Sequence, residues 1–201
     1  NVTINGDAQV GPDGDPNNVI STSGNVSITG QQSAAAEPFN YTTPVTPSGA
    51  TSLGNVKING NTTYTLQAGT YHLTKLEVTG NGQIQTLGAV NLYVDGKVTI
   101  AGNGISTANN LPPNFLLYAT GSSTVKLAGN GDFHGGVYAP NSTVQVVGNG
   151  DIYGAVISKH YQQSGNGEVH FDEAMTEIEG GSGGEIDLIS WVETNTNYNG
   201  Y

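Results

Sequence analysis

The sequence predicts an all-β fold, a single-stranded parallel β-helix of about eight coils. Three observations carry this. A short phrase, two alternating apolar residues followed by Gly-Asn-Gly, recurs with its first glycine at 80, 102, 129, 148 and, in a polar version, 165, and weaker copies without the full Gly-Asn-Gly place theirs at 6, 30 and 60. The spacing varies between 17 and 30 residues, the range of stacked supersecondary units that bury an apolar face only against their neighbours. The third observation is composition: 30 glycines and 10% charged residues among 201 favour strands and turns over helix. Hydrophobic content of 35% is low for a spheroidal core but suits a thin stack of aliphatic layers.

The copies are Val2-Thr3-Ile4, Val26-Ser27-Ile28, Val56-Lys57-Ile58, Leu76-Glu77-Val78, Val98-Thr99-Ile100, Val125-Lys126-Leu127, Val144-Gln145-Val146 and the polar Tyr161-Gln162-Gln163. In each strand the flanking residues must point inward and the middle one outward, and every middle residue is polar. A Gly-Asn-Gly corner needs a tight bend with positive φ, which glycine adopts freely and asparagine tolerates. The aligned Asn61, Asn81, Asn103, Asn130, Asn149 and Asn166 are expected to hydrogen-bond amide to amide along the stack.

Counting back from each corner aligns a second strand family at Tyr71, Tyr93, Tyr118, Tyr138 and Ile157. Counting forward aligns a third at Gln83-Ile84-Gln85, Asp132-Phe133-His134, Asp151-Ile152-Tyr153 and Glu168-Val169-His170. Three short strands per coil describe a roughly triangular section. Eight coils at the strand spacing make a rod on the order of 35–40 Å long. The right-handed form is expected, since a left-handed one would show a stricter hexapeptide repeat.

The solenoid is expected over residues 1–169, with turn-rich insertions at 7–25 and 31–52, the latter containing Pro38, Pro44 and Pro47. Residues 170–193 read as an acidic C-terminal cap of a short helix plus a strand carrying Trp191, and 194–201 as a tail. From residue 160 onward the chain has eight acidic residues and no Lys or Arg.

Net charge is −11, with five lysines and no arginine, which opposes phosphate and so argues against nucleic-acid binding. Without cysteine there is neither a disulfide framework nor a thiolate metal site. No stretch approaches the ~20 apolar residues of a membrane span. No signal-peptide pattern opens the chain, so any targeting segment is expected to have been removed or to lie outside it.

Three groups are candidates for chemistry. Asp13, Asp15 and Asn17 have the alternate spacing of a calcium loop, although Asn18 and Gly24 stand where a full EF-hand loop needs Gly and Glu; a polar turn is the plainer reading. Tyr71, Tyr93, Tyr118 and Tyr138 form either an outward aromatic strip, suited to sugar rings or a neighbouring protomer, or ordinary core. Asp132, Asp151 and Glu168 share a frame, with His134, Tyr153 and His170 two residues on. Such carboxylates resemble those of pectin-degrading enzymes or a cation-bridging ladder.

Residues 125–174, from Val125-Lys126-Leu127-Ala128-Gly129-Asn130-Gly131 to His170-Phe171-Asp172-Glu173-Ala174, together with Ile189-Ser190-Trp191-Val192-Glu193, are similar to the β-solenoid ectodomains of bacterial PilX-like, type IV pilin-like surface proteins. In that family the domain follows a hydrophobic pilin helix; this sequence instead opens on a repeat. The resemblance implies an extracellular, cell-surface, non-enzymatic structural or adhesive module of a pilus-like or filamentous assembly, whose partners are its own copies or other surface subunits. The alternative is a lectin-like or polysaccharide-degrading β-helix protein with glycans as partners. Calcium is the one cofactor the residues suggest.

Overall fold

A computed structural model describes residues 2–4, 8–20, 26–38, 40–129, 131–177, 179–180 and 184–185. The chain forms two compact units, Asn1–Tyr41 with Asp187–Tyr201, and Thr42–Ile186. Both are built mainly from parallel strand pairs.

In the first unit β1 (Val2–Ile4) and β2 (Ala8–Val10) precede a one-turn helix, α1 (Pro16–Val19), and then β3 (Val26–Ile28) and β4 (Gln32–Ala34) follow. β1 pairs with β3 so that Val2, Thr3 and Ile4 face Val26, Ser27 and Ile28, and β2 pairs with β4. Two rungs of the repeat are thus stacked here. The stretches expected as loop insertions, 7–25 and 31–52, differ from that expectation at their starts. Each opens on a short strand, because Ala8-Gln9-Val10 alternates and buries Ala8 and Val10.

The second unit holds six rungs, marked by Val56, Leu76, Val98, Val125, Val144 and Tyr161 stacked in register. Its strands are β5 (Thr51–Ile58), β6 (Thr63–Leu66), β7 (Gly69–Val78), β8 (Gln83–Thr86), β9 (Val90–Val94), β10 (Val98–Ile100) and β11 (Ile105–Ser106). They continue as β12 (Phe115–Ala119), β13 (Val125–Gly129), β14 (Phe133–Gly148), β15 (Ile152–Ser164) and β16 (Val169–Phe171). All of these pair in parallel, as a β-solenoid requires. In the later coils the third, second and first strand families run on into one long strand, β14 or β15.

The core is the inward set: Val56, Ile58, Leu73, Leu76, Val78, Ile84, Leu92, Val94, Val98, Ile100, Phe115, Leu117, Val125, Val137, Val144 and Ile152 are all buried in one cluster. Each such side chain contributes roughly 1.5–3 kcal/mol by leaving water. The expected outward set is also in register, Lys57 beside Glu77, Thr99, Lys126, Gln145 and Gln162. Lys57 and Lys75 both reach the Glu77 carboxylate, at 3.2 and 3.0 Å, and their hydrogen bonds and charge hold it below the usual carboxylate range. Gln145 donates to Gln162 at 2.9 Å.

Past the last full rung, Glu173–Glu177 form a 3-10 turn, where an α-helical turn was expected, and β17 (Glu179–Gly180) pairs antiparallel with β18 (Gly184–Glu185). Met175 is buried against the side of the stack, where a β-carbon on Gly136 would meet both Met175 and Leu116. The turn therefore packs laterally on β14 and β12. Trp191 and the rest of the expected cap strand, and the tail 194–201, lie outside the described residues.

Positive φ at the corners falls on the first glycine of each phrase, at Gly60, Gly80, Gly102, Gly129, Gly148 and Gly165, and in one corner also on the second, Gly104. None of the described corner asparagines shares it, so the expectation that asparagine helps bear the bend is corrected. The reason is contact as well as torsion. A β-carbon on Gly102 would land on the carbonyl oxygen of Gly80, and one on Gly148 on that of Gly129. Gly102→Ala is expected to cost about 2–4 kcal/mol, combining left-handed strain and overpacking. Gly49→Ala, in open space, is expected to stay within about 0.5 kcal/mol. Thermal melts of the two variants check this.

Candidate functional site

The register relocates the tyrosine strip. Tyr93 stacks beside Tyr118, and Tyr118 beside Tyr138, as expected, but the neighbour of Tyr93 on β7 is His72; Tyr71 pairs with Leu92. Between Leu73 and Leu76 the corner holds Thr74 and Lys75, whereas between Val94 and Val98 it holds Asp95, Gly96 and Lys97. That one-residue difference throws off a count made from Gly-Asn-Gly and turns Tyr71 to the opposite face. There it packs partly buried against the core and donates its hydroxyl to the Gln67 carbonyl at 3.0 Å.

Tyr93, Tyr118 and Tyr138 point away from the aliphatic core, yet Tyr93 is only 3% and Tyr118 only 5% exposed. Residues 42–50 act as a strap over this face. The strap begins where Tyr138 donates its hydroxyl to the Thr42 carbonyl (2.8 Å) and Asn141 donates to the Thr43 hydroxyl (2.6 Å). It ends where Thr51 pairs with Tyr71, so it must cross the Tyr118 and Tyr93 rungs. The Tyr93 and Tyr118 rings lie 4.6 Å apart and 11° from parallel. Stacking thus spends their π-faces on each other. Burial raises the Tyr93 phenol above its ordinary value and pushes Tyr118 up to about 12, the neighbouring phenols adding to the shift.

His72 begins a relay that the sequence reading missed. Its Nε2 lies 2.8 Å from Asp95 Oδ2, and the Thr120 hydroxyl donates to Asp95 Oδ1 at 2.7 Å. The Thr120 bond, then the His72 bond, hold the Asp95 carboxyl below its usual range. Ser52 is the register partner of His72. No hydrogen bond joins them among the described residues, so His72 does not activate the Ser52 hydroxyl in this arrangement. Aligning the strands on their aliphatics, not on the glycines, would have placed His72 beside Tyr93.

The carboxylate ladder forms as expected. Asp132 accepts from the Asp151 backbone N–H at 3.0 Å and Asp151 from that of Glu168 at 2.8 Å. Beside it His134, Tyr153 and His170 stack at 4.8 and 4.7 Å, nearly parallel. His170 Nε2 lies 3.8 Å from Asp151 and 3.6 Å from Glu168. Partial burial, then the charges of Asp151 and Asp132, raise the Tyr153 phenol. Again the rings face one another, and the ridge offers solvent their edges.

The asparagine ladder is partial. Asn81 donates to the Asn61 side-chain oxygen at 3.0 Å and Asn166 to that of Asn149 at 3.4 Å, but Asn103 donates to the Asn81 backbone carbonyl instead. Asn130 lies outside the described residues. Of the expected calcium set, Asp15 caps α1. One carboxylate oxygen accepts from the N–H and amide of Asn17, the other from Asn18. Asp13 adopts φ 63°. Among the described residues no group of three or more His, Cys, Asp or Glu converges on a point.

A domain family of unknown function, DUF7305, matches residues 51–178. The chain belongs to it. The DUF7305 match opens at β5 and closes just after the 3-10 turn, so it takes in the six rungs, the tyrosine face and the His134–His170 ridge, and leaves out the strap and Asp13–Asn17. No curated protein and no solved structure matches the chain.

A phenol whose folded pKa is raised stabilises the fold below its ordinary value near 10, and that contribution is lost as pH climbs through the raised value. A phenolate absorbance titration should therefore show Tyr118 ionising near 12, with stability falling across that window. All phenols titrating together near pH 10 in the folded protein would contradict the burial. Tyr138→Phe, which removes the strap bond, is expected to cost roughly 0.5–1.5 kcal/mol in denaturant titrations.

Proposed function

We propose that this DUF7305 chain is a non-enzymatic, extracellular structural or adhesive module, working in a pilus-like or filamentous assembly on the cell surface. One observation carries the reading. Its outward side chains bond to their counterparts on adjacent rungs, as Gln145 to Gln162, Lys57 to Glu77, Asn81 to Asn61 and Asp132 to the Asp151 backbone. Catalysis needs different groups converging on one reacting atom; along these ladders the groups run instead in parallel lines. A stack of satisfied polar ladders over an aliphatic core suits a rigid spacer that presents a repeating surface. The acidic charge and the resemblance at residues 125–174 support a place outside the cell.

A lectin-like reading draws on the half-exposed His134–Tyr153–His170 ridge with its carboxylates. Stacking on sugars is disfavoured along the ridge, because the ring faces are already taken.

Immunogold electron microscopy of intact cells expressing the chain tests the proposal. Gold along surface filaments or the cell envelope is the expected result, and gold confined to the cell interior would overturn it. Binding or cleavage in a polysaccharide screen, lost in Tyr153→Ala, would move the assignment to the glycan reading.

A further inference from the structure

Asparagine followed by glycine is the pairing in which a backbone amide nitrogen most readily reaches the preceding side-chain carbonyl, since glycine puts no side chain in its way. Five described Asn-Gly pairs occur; Asn59-Gly60 leads into a corner, and four sit within Gly-Asn-Gly corners: Asn81-Gly82, Asn103-Gly104, Asn149-Gly150 and Asn166-Gly167. They are identical in sequence and differ in how the attacking nitrogen is held. The Gly82 N–H donates to Thr79 at 3.1 Å, Gly104 to Ala101 at 3.4 Å and Gly150 to Gly129 at 3.4 Å. The Gly167 N–H has no hydrogen-bond partner among the described residues.

The Asn166 side chain is also the most loosely held of the linked corner amides, donating at 3.4 Å where Asn81 and Asn103 donate at 3.0 and 3.3 Å. Gln163 meanwhile donates to the Gly167 carbonyl, anchoring the peptide on the far side of that glycine. The last corner thus pairs a free nucleophile with a weakly restrained electrophile.

We propose that Asn166 is a site of spontaneous deamidation that ages the last rung of the solenoid. The Gly167 nitrogen gives its proton to water and attacks Asn166 Cγ. A C–N bond forms, the bond from Cγ to Nδ2 breaks, and ammonia leaves, giving a five-membered succinimide. Water then opens either ring C–N bond to yield aspartate or isoaspartate, with no change of oxidation state.

The product loses the donor to Asn149 and sets a carboxylate against the Asn149 side-chain oxygen. Isoaspartate also lengthens the backbone just before β16, which is held to β15 by only three paired residues, Val169, His170 and Phe171. The new charge adds to Asp151 and Glu168 nearby. The last rung loosens as a consequence.

Purified protein held at 37 °C in mildly alkaline buffer and mapped by peptide mass spectrometry over time tests this. Asn166 is expected to convert about tenfold faster than Asn81, Asn103 or Asn149, the factor that one retained hydrogen bond at the other corners supplies. Equal rates in the folded protein would overturn the proposal. In urea the four sites should converge on one rate; a lead for Asn166 that persists in the unfolded chain would overturn its structural cause. Hydrogen exchange over 168–171 should quicken in aged wild type and not in aged Asn166→Gln, and equal quickening in both would refute the link to the last rung.

Discussion

The structure depends on how closely one corner glycine lies over the next. Parallel strands are held about 4.8 Å apart by their hydrogen bonds, and the corners have to keep that spacing although the backbone turns there. At Gly102 over Gly80, Gly148 over Gly129 and Gly165 over Gly148, the carbonyl oxygen of one coil occupies the place a β-carbon would take in the next. Glycine is needed for this contact as much as for its torsion. Once the corners are satisfied, alternation does the rest, sending Val98 and Ile100 into the core and Thr99 to the surface.

The same register decides what the surface can do. Residues at equivalent positions sit over one another, so amides find amides, Lys57 finds Glu77, and rings find rings. Each ladder is largely satisfied by itself and presents edges, not faces or clefts. Unlike groups also meet, as in the His72–Asp95–Thr120 relay and the ridge where His170 approaches Asp151 and Glu168. The last rung departs from the pattern in a telling way. Gln163 replaces an aliphatic, accepts from the Tyr161 hydroxyl and donates to Gly167, so that the last described rung presents a polar layer where an apolar one would invite a further strand.

Most of the fold was legible because the phrase encodes it twice, once as inward and outward alternation and once as a glycine corner. The three strand families, the outward polar set and the carboxylate ladder all followed from counting. What escaped were features set by corner length and by long-range cover. Tyr71 was placed with Tyr93 because the shorter corner at Thr74 and Lys75 is invisible when counting from glycine. The burial of Tyr93 and Tyr118 was out of reach, since the strap that crosses them precedes Tyr138 by 96 residues at its hydrogen bond to Thr42. In Asp13-Gly14-Asp15-Pro16-Asn17 the alternate spacing drew the eye to oxygen ligands, and the N-cap role of Asp15, signalled by Pro16 at the first helical position, went unread.

The central claim is that stability resides in the stack, each rung supported by the one on either side. Residue-resolved amide hydrogen exchange of the whole chain tests it most directly. Protection should be greatest in the middle rungs, at 90–94 and 115–119, and fall toward 160–164, whose described ladder lies on one side only. Uniform protection from end to end, or greater protection in the last rung than in the middle, would contradict the account.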